Sequence, residues 1–361
     1  MKNSFGNSIT VTLFGESHGE MIGAVLDGVA PGIEINDEYI RKKLARRRPS
    51  GKIATARIEA DEYKIVSGVN RGFTTGTPLC ILIPNTNTKS SDYEALRVTP
   101  RPSHADYTAE CKYHGFQDAR GGGHFSGRIT AALVAVGAIL EFALMKKGIR
   151  LGTHLSSLGK IKERSFTDEG DLDKLDARTF PTFTEEAERE MRRAAEAAAE
   201  AGDSVGGVTE SAVFGMPEGV GEPWFDTVEG MLSHALFSIP AVKGVEFGLG
   251  FGLSDMLGSE ANDAFFVEDG KVKTKTNNNG GILGGITSGM PITFRCAVKP
   301  TPSIYKEQDS VNIKTLEDTK IKIEGRHDPS IVQRVAAVVD AVTAIVISDM
   351  LVTRFGTDYL A

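Results

Sequence analysis

The chain has 361 residues, of which 40% are hydrophobic and 25% charged, close to the usage of ordinary globular proteins. Its formal net charge of -7 argues against a nucleic-acid-binding function, because such proteins normally carry a basic face. The three cysteines, Cys80, Cys111 and Cys296, form no closely spaced pair, and the N-terminal residues contain no secretory apolar segment. These features favour a reducing compartment and predict a cytoplasmic location.

The predicted elements mix strands and helices in an irregular order. The pattern predicts a strand at residues 9–14, a helix at 37–47, strands at 57–62 and 79–84, helices at 129–145 and 184–201, strands at 208–214 and 292–298, and a helix at 330–351. A regular alternation of strand and helix is absent, so we expect an α+β fold of packed layers rather than a doubly wound parallel sheet. Two polar stretches, 160–183 and 271–279, are predicted to be loops.

The predicted helix at 129–145 is apolar enough to suggest a membrane span. It is shorter than the roughly 20 residues that a span needs, and it contains Glu141. We therefore predict a buried core helix, capped by Ser126 and ended by Gly148, and no association with a membrane. Similar signals predict that Asp37 caps the first helix and that Asp328, followed by proline, begins the last one.

Several motifs that would identify other enzyme classes are absent from the sequence. There is no GxxxxGK[ST] phosphate-binding loop, no HExxH zinc motif and no GxSxG nucleophile elbow. A GxGxxG that follows a strand and opens a helix is also missing. These absences argue against a P-loop kinase, a zinc protease, an α/β-hydrolase and a Rossmann dehydrogenase.

Residues that can carry chemistry are concentrated in four glycine-containing segments. The first, 15–19, places His18 between small residues directly after a predicted strand, where an imidazole can donate a proton near neutral pH. The second, 46–52, is a cluster of basic residues in an acidic protein, which favours a phosphate or carboxylate ligand. The alternatives are a structural histidine and a solvated basic surface.

The other two segments combine the same residue types. The third joins 101–106 to 120–128, where arginine, histidine and glycines precede a helix N-terminus that can bind an anion; a simple helix entrance is the alternative. The fourth joins 299–303 to 325–329, where an aspartate follows arginine and histidine. Capping a helix could be the whole role of that aspartate. A metal site is a weak alternative because no carboxylate or cysteine cluster lies nearby in the sequence, so no metal is predicted.

Nine motifs in and between these segments resemble those of the chorismate synthase family. They are FGESHG at 14–19, RRRP at 46–49, TTGTP at 74–78, RPSHADYT at 101–108, RGGG at 120–123, AVKGVEFG at 241–248, GGILGGITSG at 280–289, KPTPS at 299–303 and GRHDP at 325–329. Each motif alone is modest evidence. Nine in order across nearly the whole chain are very improbable by chance, so the chain is identified as a member of this family.

The resemblance implies a fold and a reaction. The family fold is a β-α-β sandwich with helices between antiparallel sheets, expected here as a single domain over residues 1–361, and the family forms homotetramers. Its enzymes are carbon–oxygen lyases of aromatic amino acid biosynthesis. They convert 5-enolpyruvylshikimate-3-phosphate to chorismate by trans 1,4-elimination of phosphate. Reduced FMN is required although the reaction has no net redox change, and NADPH is one candidate reductant.

The resemblance also implies residue roles. His18 would protonate the leaving phosphate, His104 would protonate the reduced flavin, and Asp328 would help to remove the ring proton by way of flavin N5. Ser17 and Ser126 would support the flavin and its protonation. Residues expected to bind the substrate or NADP are Arg47, Arg48, Lys52 and Arg128. Residues expected to bind the flavin are His124, Phe125, Ser126, Pro240, Ala241, Gly284, Lys299, Pro300, Thr301, Pro302, Ser303 and Arg326.

Two positions depart from the usual family pattern, and two other functions remain as alternatives. His124 stands where many members have arginine, and Pro240 stands where many have asparagine, so the hydrogen-bond donors of that asparagine are lost. One alternative function is a different FMN- and phosphate-binding enzyme on the same fold. The other is an anion- or RNA-binding protein that uses residues 41–52, which predicts strongly salt-dependent binding of nucleic acid.

Overall fold

The computed structural model describes residues 2–48, 61–86, 97–323 and 327–361. Most of the strand predicted at 57–62 and the predicted site residues Lys52 and Arg326 lie outside these ranges. Within them, two five-stranded antiparallel sheets enclose a layer of helices. This is the α+β sandwich that the sequence predicts.

The first sheet contains the N-terminal strands. They are β1 (Ser4–Phe5), β2 (Thr10–Gly15), β3 (Met21–Asp27), β4 (Lys64–Ser67) and β7 (Leu79–Pro84), with a short hairpin of β5 (Val69–Asn70) and β6 (Phe73–Thr74) before β7. The strand order is β1-β2-β3-β7-β4, and Leu26 of β3 lies opposite Leu79 of β7. Alternate residues Leu79, Ile81 and Ile83 are buried, as expected for a strand with one face on the core.

The second sheet is built from the middle of the chain. Its strands are β8 (Arg150–Leu158), β9 (Ile161–Lys162), β10 (Gly207–Phe214), β11 (Val242–Phe247) and β16 (Ile292–Val298), in the order β11-β16-β10-β8-β9. Thr209 of β10 lies opposite Cys296 of β16. The strands predicted at 79–84 and 292–298 are confirmed with the same bounds, because both alternate cleanly between turn residues.

Three small hairpins project from this framework. They are β12 (Phe265–Glu268) with β13 (Lys271–Thr274), β14 (Ile282–Leu283) with β15 (Ile286–Thr287), and β17 (Gln308–Asn312) with β18 (Glu317–Ile321). The first of these corrects the loop predicted at 271–279. The polar run at 271–274 pairs with the apolar run at 265–268. The apolar residues of this hairpin lie mainly in β12, so the composition of β13 alone does not indicate a strand.

Helices fill the space between the sheets and cover one edge. They are α1 (Asp37–Arg47), α2 (Asp106–Tyr113), α3 (Thr130–Lys146), α4 (Gly170–Asp176), α5 (Glu185–Glu200), α6 (Val228–Leu236), α7 (Gly258–Ala261) and α8 (Val332–Phe355). Helix α3 packs against β3 and β7, helix α8 packs against β8 and β10, and the two helices pack against each other. The presence of α4 corrects part of the loop predicted at 160–183.

The two central helices approach each other closely at Gly137. A Cβ atom at this position would lie 2.5 Å from Cβ of Ala341, so α3 and α8 meet through small residues. The segments Gly127–Lys146 and Val332–Phe355 are long and apolar enough to cross a membrane by length and composition, but 83% and 100% of their apolar windows are buried inside the protein. The buried core helix predicted at 129–145 is confirmed.

Helix ends agree only partly with the predicted caps. Asn36, and not Asp37, caps α1, because its side chain accepts a hydrogen bond from the Tyr39 amide. Ser126 accepts from the Arg128 amide at 3.3 Å and begins a short 3-10 turn that leads into α3. Helix α8 begins at Val332, so Asp328 lies before it and does not cap it.

Candidate active site

A cleft of about 1330 Å³ opens between the first sheet, the central helices and the segment at 299–303. It brings together most of the predicted site residues, which come from parts of the chain separated by as many as 310 positions. Those that line it are His18, Arg47, His104, His124, Phe125, Ser126, Arg128, Pro240, Ala241, Lys299, Thr301, Pro302, Ser303 and Asp328. The convergence of these residues in one cleft is the central feature of the site.

His18 follows β2 and is held by its neighbour Ser17. The Ser17 hydroxyl lies 3.1 Å from the carbonyl oxygen of Gly121 and 2.9 Å from Nδ1 of His18. Because a carbonyl only accepts, the hydroxyl hydrogen points to it, and Nδ1 of His18 donates to Ser17 Oγ. Nδ1 of His18 is thus turned to Ser17, and the residue lines the cleft. Both residues are buried.

Three consecutive glycines form the turn that supports the two predicted catalytic histidines. Gly121, Gly122 and Gly123 have φ angles of 59°, 85° and 52°, a conformation that side chains disfavour. A Cβ atom on Gly121 would lie 2.1 Å from Cε1 of His18, and one on Gly122 would lie 3.4 Å from Cε1 of His104. The turn therefore approaches both imidazoles through bare backbone.

His104 is bound to Asp106 in the first turn of α2. Nδ1 of His104 lies 2.6 Å from Oδ1 of Asp106, and Arg101 holds the same carboxylate through Nε and Nη2, both at 2.8 Å. Burial alone would raise the pKa of Asp106, but hydrogen bonds from Arg101 and His104 lower it well below its usual range. A third arginine donor, Nη1, lies 3.4 Å from the Ser303 hydroxyl, which links this group to the segment 299–303.

The arginines of the basic cluster surround a buried carboxylate, Asp61. Nη2 of Arg47 donates to Asp61 Oδ2 at 3.0 Å, Arg128 pairs with Oδ1, and Nε of Arg48 lies 3.7 Å from Oδ2. Nε of Arg128 also donates to the Asn85 side chain at 2.9 Å. These contacts gather guanidinium groups beside the cleft, and guanidinium groups suit an anionic ligand.

Helix α1 carries Arg47 to the cleft, and a buried ionic contact joins the helix to α3 and α8. Lys43 lies 2.5 Å from Glu141 of α3 and 3.2 Å from Asp340 of α8, and all three side chains are buried. A buried charge is tolerated only when it is paired, so this contact specifies where α1 sits on the other two helices. The position of α1 in turn sets the position of the arginines at its C-terminus.

Asp328 is held by Arg334 at the start of α8. Nη1 of Arg334 donates to Oδ2 of Asp328 at 2.8 Å, and its Nε donates to the main-chain oxygen of Arg47, also at 2.8 Å. One guanidinium therefore connects the carboxylate to the C-terminus of α1. This contact replaces the capping role that the sequence suggested for Asp328.

The segment 299–303 and His327 form the opposite wall. Lys299 donates to the main-chain oxygen of Ser103, and burial followed by repulsion from Lys243 lowers the pKa of its ammonium group. Burial and then the Arg101 charge lower the pKa of His327, while Asp328 opposes them. Nε2 of His327 is buried and has no hydrogen-bond partner among the described residues, so it is available to a ligand.

The two positions that depart from the family pattern have defined surroundings. Nδ1 of His124 donates to the carbonyl oxygen of Gly15 at 2.8 Å, which ties the glycine turn to the end of β2. Pro240 precedes Ala241, whose φ of 76° is unusual for a residue with a side chain and whose carbonyl accepts from the Lys299 amide at 3.0 Å. Both positions line the cleft.

Some predicted residues lie apart from the cleft lining. Ser17 contacts His18 and Arg48 lies 3.7 Å from Asp61, and neither residue is among those that line the cleft. Pro300 does not line the cleft although its neighbours do, and Gly284 lies in the turn between β14 and β15, where a Cβ atom would meet nothing within 4 Å.

Five residues that contribute to the site were not among the predicted ones. They are Asp61, Arg101, Asp106, His327 and Arg334. Arg101 and Asp106 stand inside the motif RPSHADYT, so their position beside His104 was a signal that could have found them. Asp61 and Arg334 carry no local signal, because each acts through a partner that is distant in the sequence.

The fold is an α+β sandwich whose cleft brings imidazole and guanidinium groups together, an arrangement typical of enzymes that act on anionic substrates. The chain belongs to the chorismate synthase family, since the family model described as chorismate synthase matches residues 9–352. The chorismate synthases of Thermococcus kodakarensis and Pyrococcus abyssi are each 46% identical to it, over 97% of this chain and 97% of each relative.

A solved structure extends the comparison to the fold. The structure, described as the crystal structure of a chorismate synthase, has a TM-score of 0.76 and 28% sequence identity, and the match covers 98% of this chain and 95% of the other. The family membership, the sandwich fold and the lyase activity predicted from the motifs are confirmed by these relationships. The roles of the individual residues stay predictions.

Proposed function

We propose that the cleft binds 5-enolpyruvylshikimate-3-phosphate together with reduced FMN, and that the chain eliminates phosphate from this substrate to give chorismate. The observation that carries the proposal is the meeting of His18, His104, Arg47 and Arg128 in one cleft. The substrate has a phosphate and two carboxylates, and FMN brings a second phosphate. Ligands with this many negative charges need several guanidinium groups in one place.

His18 is proposed to protonate the leaving phosphate. Its Nδ1 is engaged by Ser17 at 2.9 Å, so Nε2 is the atom that would hold and deliver the proton. Arg47 and Arg128 would bind the charged groups of the substrate beside it. The buried carboxylate of Asp61 supports this role, because it holds two of the guanidinium groups in place before an anion arrives.

His104 and Asp328 are proposed to act on the flavin side of the substrate. His104 would keep a proton at Nε2 beside the reduced flavin, supported from behind by Asp106. Asp328 would accept the ring proton, and Arg334 supports this because its hydrogen bond at 2.8 Å holds the carboxylate at the cleft. An Asp328→Asn variant with wild-type turnover would contradict this role.

The residues of the cleft fit FMN. Lys299 and Arg101 offer positive charge near the segment 299–303. His327 offers a buried nitrogen that has no protein partner among the described residues, and Phe125 offers a partly exposed ring. When bound in its reduced form, FMN would supply electron density while the carbon–oxygen bond breaks. The surrounding wall would be formed by Thr301, Pro302, Ser303, Pro240 and Ala241. NADPH is proposed as one source of the electrons that reduce FMN.

We also propose that the chain is a single domain that forms a homotetramer in the cytoplasm. One hydrophobic core cluster extends from Ile9 to Leu360, which supports a single domain.

Several large apolar side chains are exposed to solvent in the single chain, among them Trp224 at 86%, Phe225 at 93% and Phe251 at 83%. Such exposure favours burial between copies. The three cysteines are free thiols, in accord with a reducing compartment.

The decisive experiment is anaerobic incubation of the protein with substrate, FMN and dithionite. Release of phosphate together with chorismate is the expected result, and FMN binding without chorismate would favour a different flavin enzyme on this fold. A parallel reaction with NADPH in place of dithionite tests whether the protein reduces its own flavin. A filter-binding assay with RNA at low salt tests the nucleic-acid alternative, for which we expect no retention.

A further inference from the structure

The contacts around His104 bear on which nitrogen of its ring carries a proton. Nδ1 lies 2.6 Å from Asp106 Oδ1 and 3.0 Å from Nη2 of Arg101. A carboxylate only accepts hydrogen bonds, and a guanidinium only donates them. A hydrogen bond with Asp106 requires a hydrogen on Nδ1, whereas a hydrogen bond from Arg101 requires a lone pair there, so Nδ1 can form only one of the two bonds.

The distances indicate which of these two hydrogen bonds forms. If Nδ1 lacked a hydrogen, its lone pair would face the Asp106 carboxylate at 2.6 Å, which is a repulsive contact at the length of a strong charged hydrogen bond. If Nδ1 carries the hydrogen, it donates to Oδ1, and Nη2 of Arg101 donates to the same oxygen at 2.8 Å. The Arg101–His104 distance of 3.0 Å is then the spacing of two donors that share one acceptor.

We propose that Asp106 is a positioning residue that fixes His104 with its hydrogen on Nδ1, so that Nε2 is the nitrogen presented to the cleft, and that Arg101 holds Asp106 in place. This inference rests on the proposed function in assigning a catalytic proton to His104. Asp106 itself does not line the cleft and acts only through the imidazole.

The surroundings of Asp106 support a fixed arrangement. Besides His104, the carboxylate accepts from Nε and Nη2 of Arg101 at 2.8 Å and from the Arg101 main-chain amide at 3.0 Å. Arg101 is in turn within 3.4 Å of the Ser303 hydroxyl, 202 positions further along the chain. The side chains of Arg101 and Asp106 are 8% and 14% exposed, so water competes little for these bonds. The imidazole is therefore oriented by a network that spans the cleft.

The test is an Asp106→Leu variant, which removes every acceptor at this position while keeping a side chain of similar length. Magic-angle-spinning ¹⁵N NMR of histidine-labelled protein at alkaline pH distinguishes the two neutral ring forms, and a His104→Gln spectrum assigns the resonance among the seven histidines. In the wild type we expect the hydrogen on Nδ1 of His104. In Asp106→Leu we expect the form with the hydrogen on Nε2 to appear.

Kinetics provide the second measurement. We expect kcat of Asp106→Leu to fall about 10- to 100-fold, as when outer partners of a metal-bound histidine are removed, with little change in KM because Asp106 does not face the substrate. In the His104→Gln background, Asp106→Leu should cause no further loss of kcat. Asp173→Leu, at an exposed ion pair with Arg150, is the matched control and should leave both the spectrum and kcat unchanged.

Several results would overturn the inference. They are a wild-type His104 with its hydrogen on Nε2, an Asp106→Leu variant that keeps the Nδ1 hydrogen, and a lost Nδ1 hydrogen with unchanged kcat. If Asp106→Leu fails to fold because Arg101 is left unpaired, the double variant Arg101→Met/Asp106→Leu removes both charges and must show the same change of ring form. A wild-type protein without chorismate formation would contradict the proposed function, whereas the spectrum would still decide the role of Asp106.

Discussion

Gly121 lies directly against the ring of His18, at a distance that leaves no room for a side chain. A Cβ atom on Gly121 would be 2.1 Å from Cε1 of His18 and 2.7 Å from Oγ of Ser17. The glycine turn therefore helps to orient the His18 imidazole. The absence of a side chain at this position is as necessary as the presence of the histidine.

The first prediction concerns this contact. Gly121→Ala should lower kcat by about 100-fold, because the new methyl group must displace the imidazole and the φ of 59° disfavours a side chain. Gly258→Ala is the control, since a Cβ atom there meets nothing within 4 Å and its φ is not positive. Steady-state phosphate release measures both variants. Equal activity of the two would mean that the turn tolerates a shift of His18.

The second prediction concerns the two proposed proton donors. His18→Ala and His104→Ala should each lose about 100- to 10,000-fold in kcat, the usual contribution of a positioned acid or base. FMN should still bind to both variants, because Lys299 and the rest of the segment 299–303 are unaffected. Activity assays and flavin titration measure the two properties, with His114→Asn, an exposed histidine that ends α2, as control. Wild-type turnover by both alanine variants would refute the assigned roles.

The third prediction concerns the buried carboxylate among the arginines. Asp61→Asn should reduce the free energy of unfolding by about 3 to 5 kcal/mol, because Arg47 and Arg128 lose a buried charge partner. Asp173→Asn, at an exposed ion pair, should cost about 1 kcal/mol or less. Urea unfolding measures both. A loss at Asp61 no larger than at Asp173 would show that the arginines are adequately held by other groups.

The fourth prediction follows from the lowered pKa of Lys299. Burial is the larger cause and the Lys243 charge the second, so Lys299 should lose its proton below the ordinary lysine value of 10.5. Between this lowered pKa and 10.5 the folded form binds fewer protons than the unfolded one. The stability that the site costs at lower pH is therefore recovered as pH rises through the folded pKa, and the recovery is complete above 10.5. In Lys243→Ala the pKa of Lys299 should move upward, though not completely, because burial remains.

Acetylation measures this titration directly. The rate at which acetic anhydride modifies Lys299, followed by mass spectrometry across alkaline pH, should rise at lower pH in the wild type than in Lys243→Ala. Lys271→Ala, on the exposed strand β13, should match the wild type. An unchanged profile in Lys243→Ala would show that Lys243 does not act on Lys299.

The sequence by itself determined the features that depend on neighbouring residues. The strands at 79–84 and 292–298, the helix at 37–47 and the buried helix at 129–145 follow from local periodicity and turn residues. Most histidines and arginines of the site were predicted from short motifs, because family motifs are contiguous. Strand β13 was missed because its apolar partner, β12, supplies the pattern that its own residues lack.

Only the tertiary structure decided which groups control these residues. Asp61 lies among arginines 14 and 67 positions away, and Arg334 reaches the carbonyl of Arg47 across 287 positions. The sequence suggested that Asp328 caps a helix, whereas in the folded protein the Asp328 carboxylate accepts a hydrogen bond from Arg334. The physical reason is that charge pairing and hydrogen bonding depend on distance in space, and the packing of α1, α3 and α8 between the sheets sets those distances.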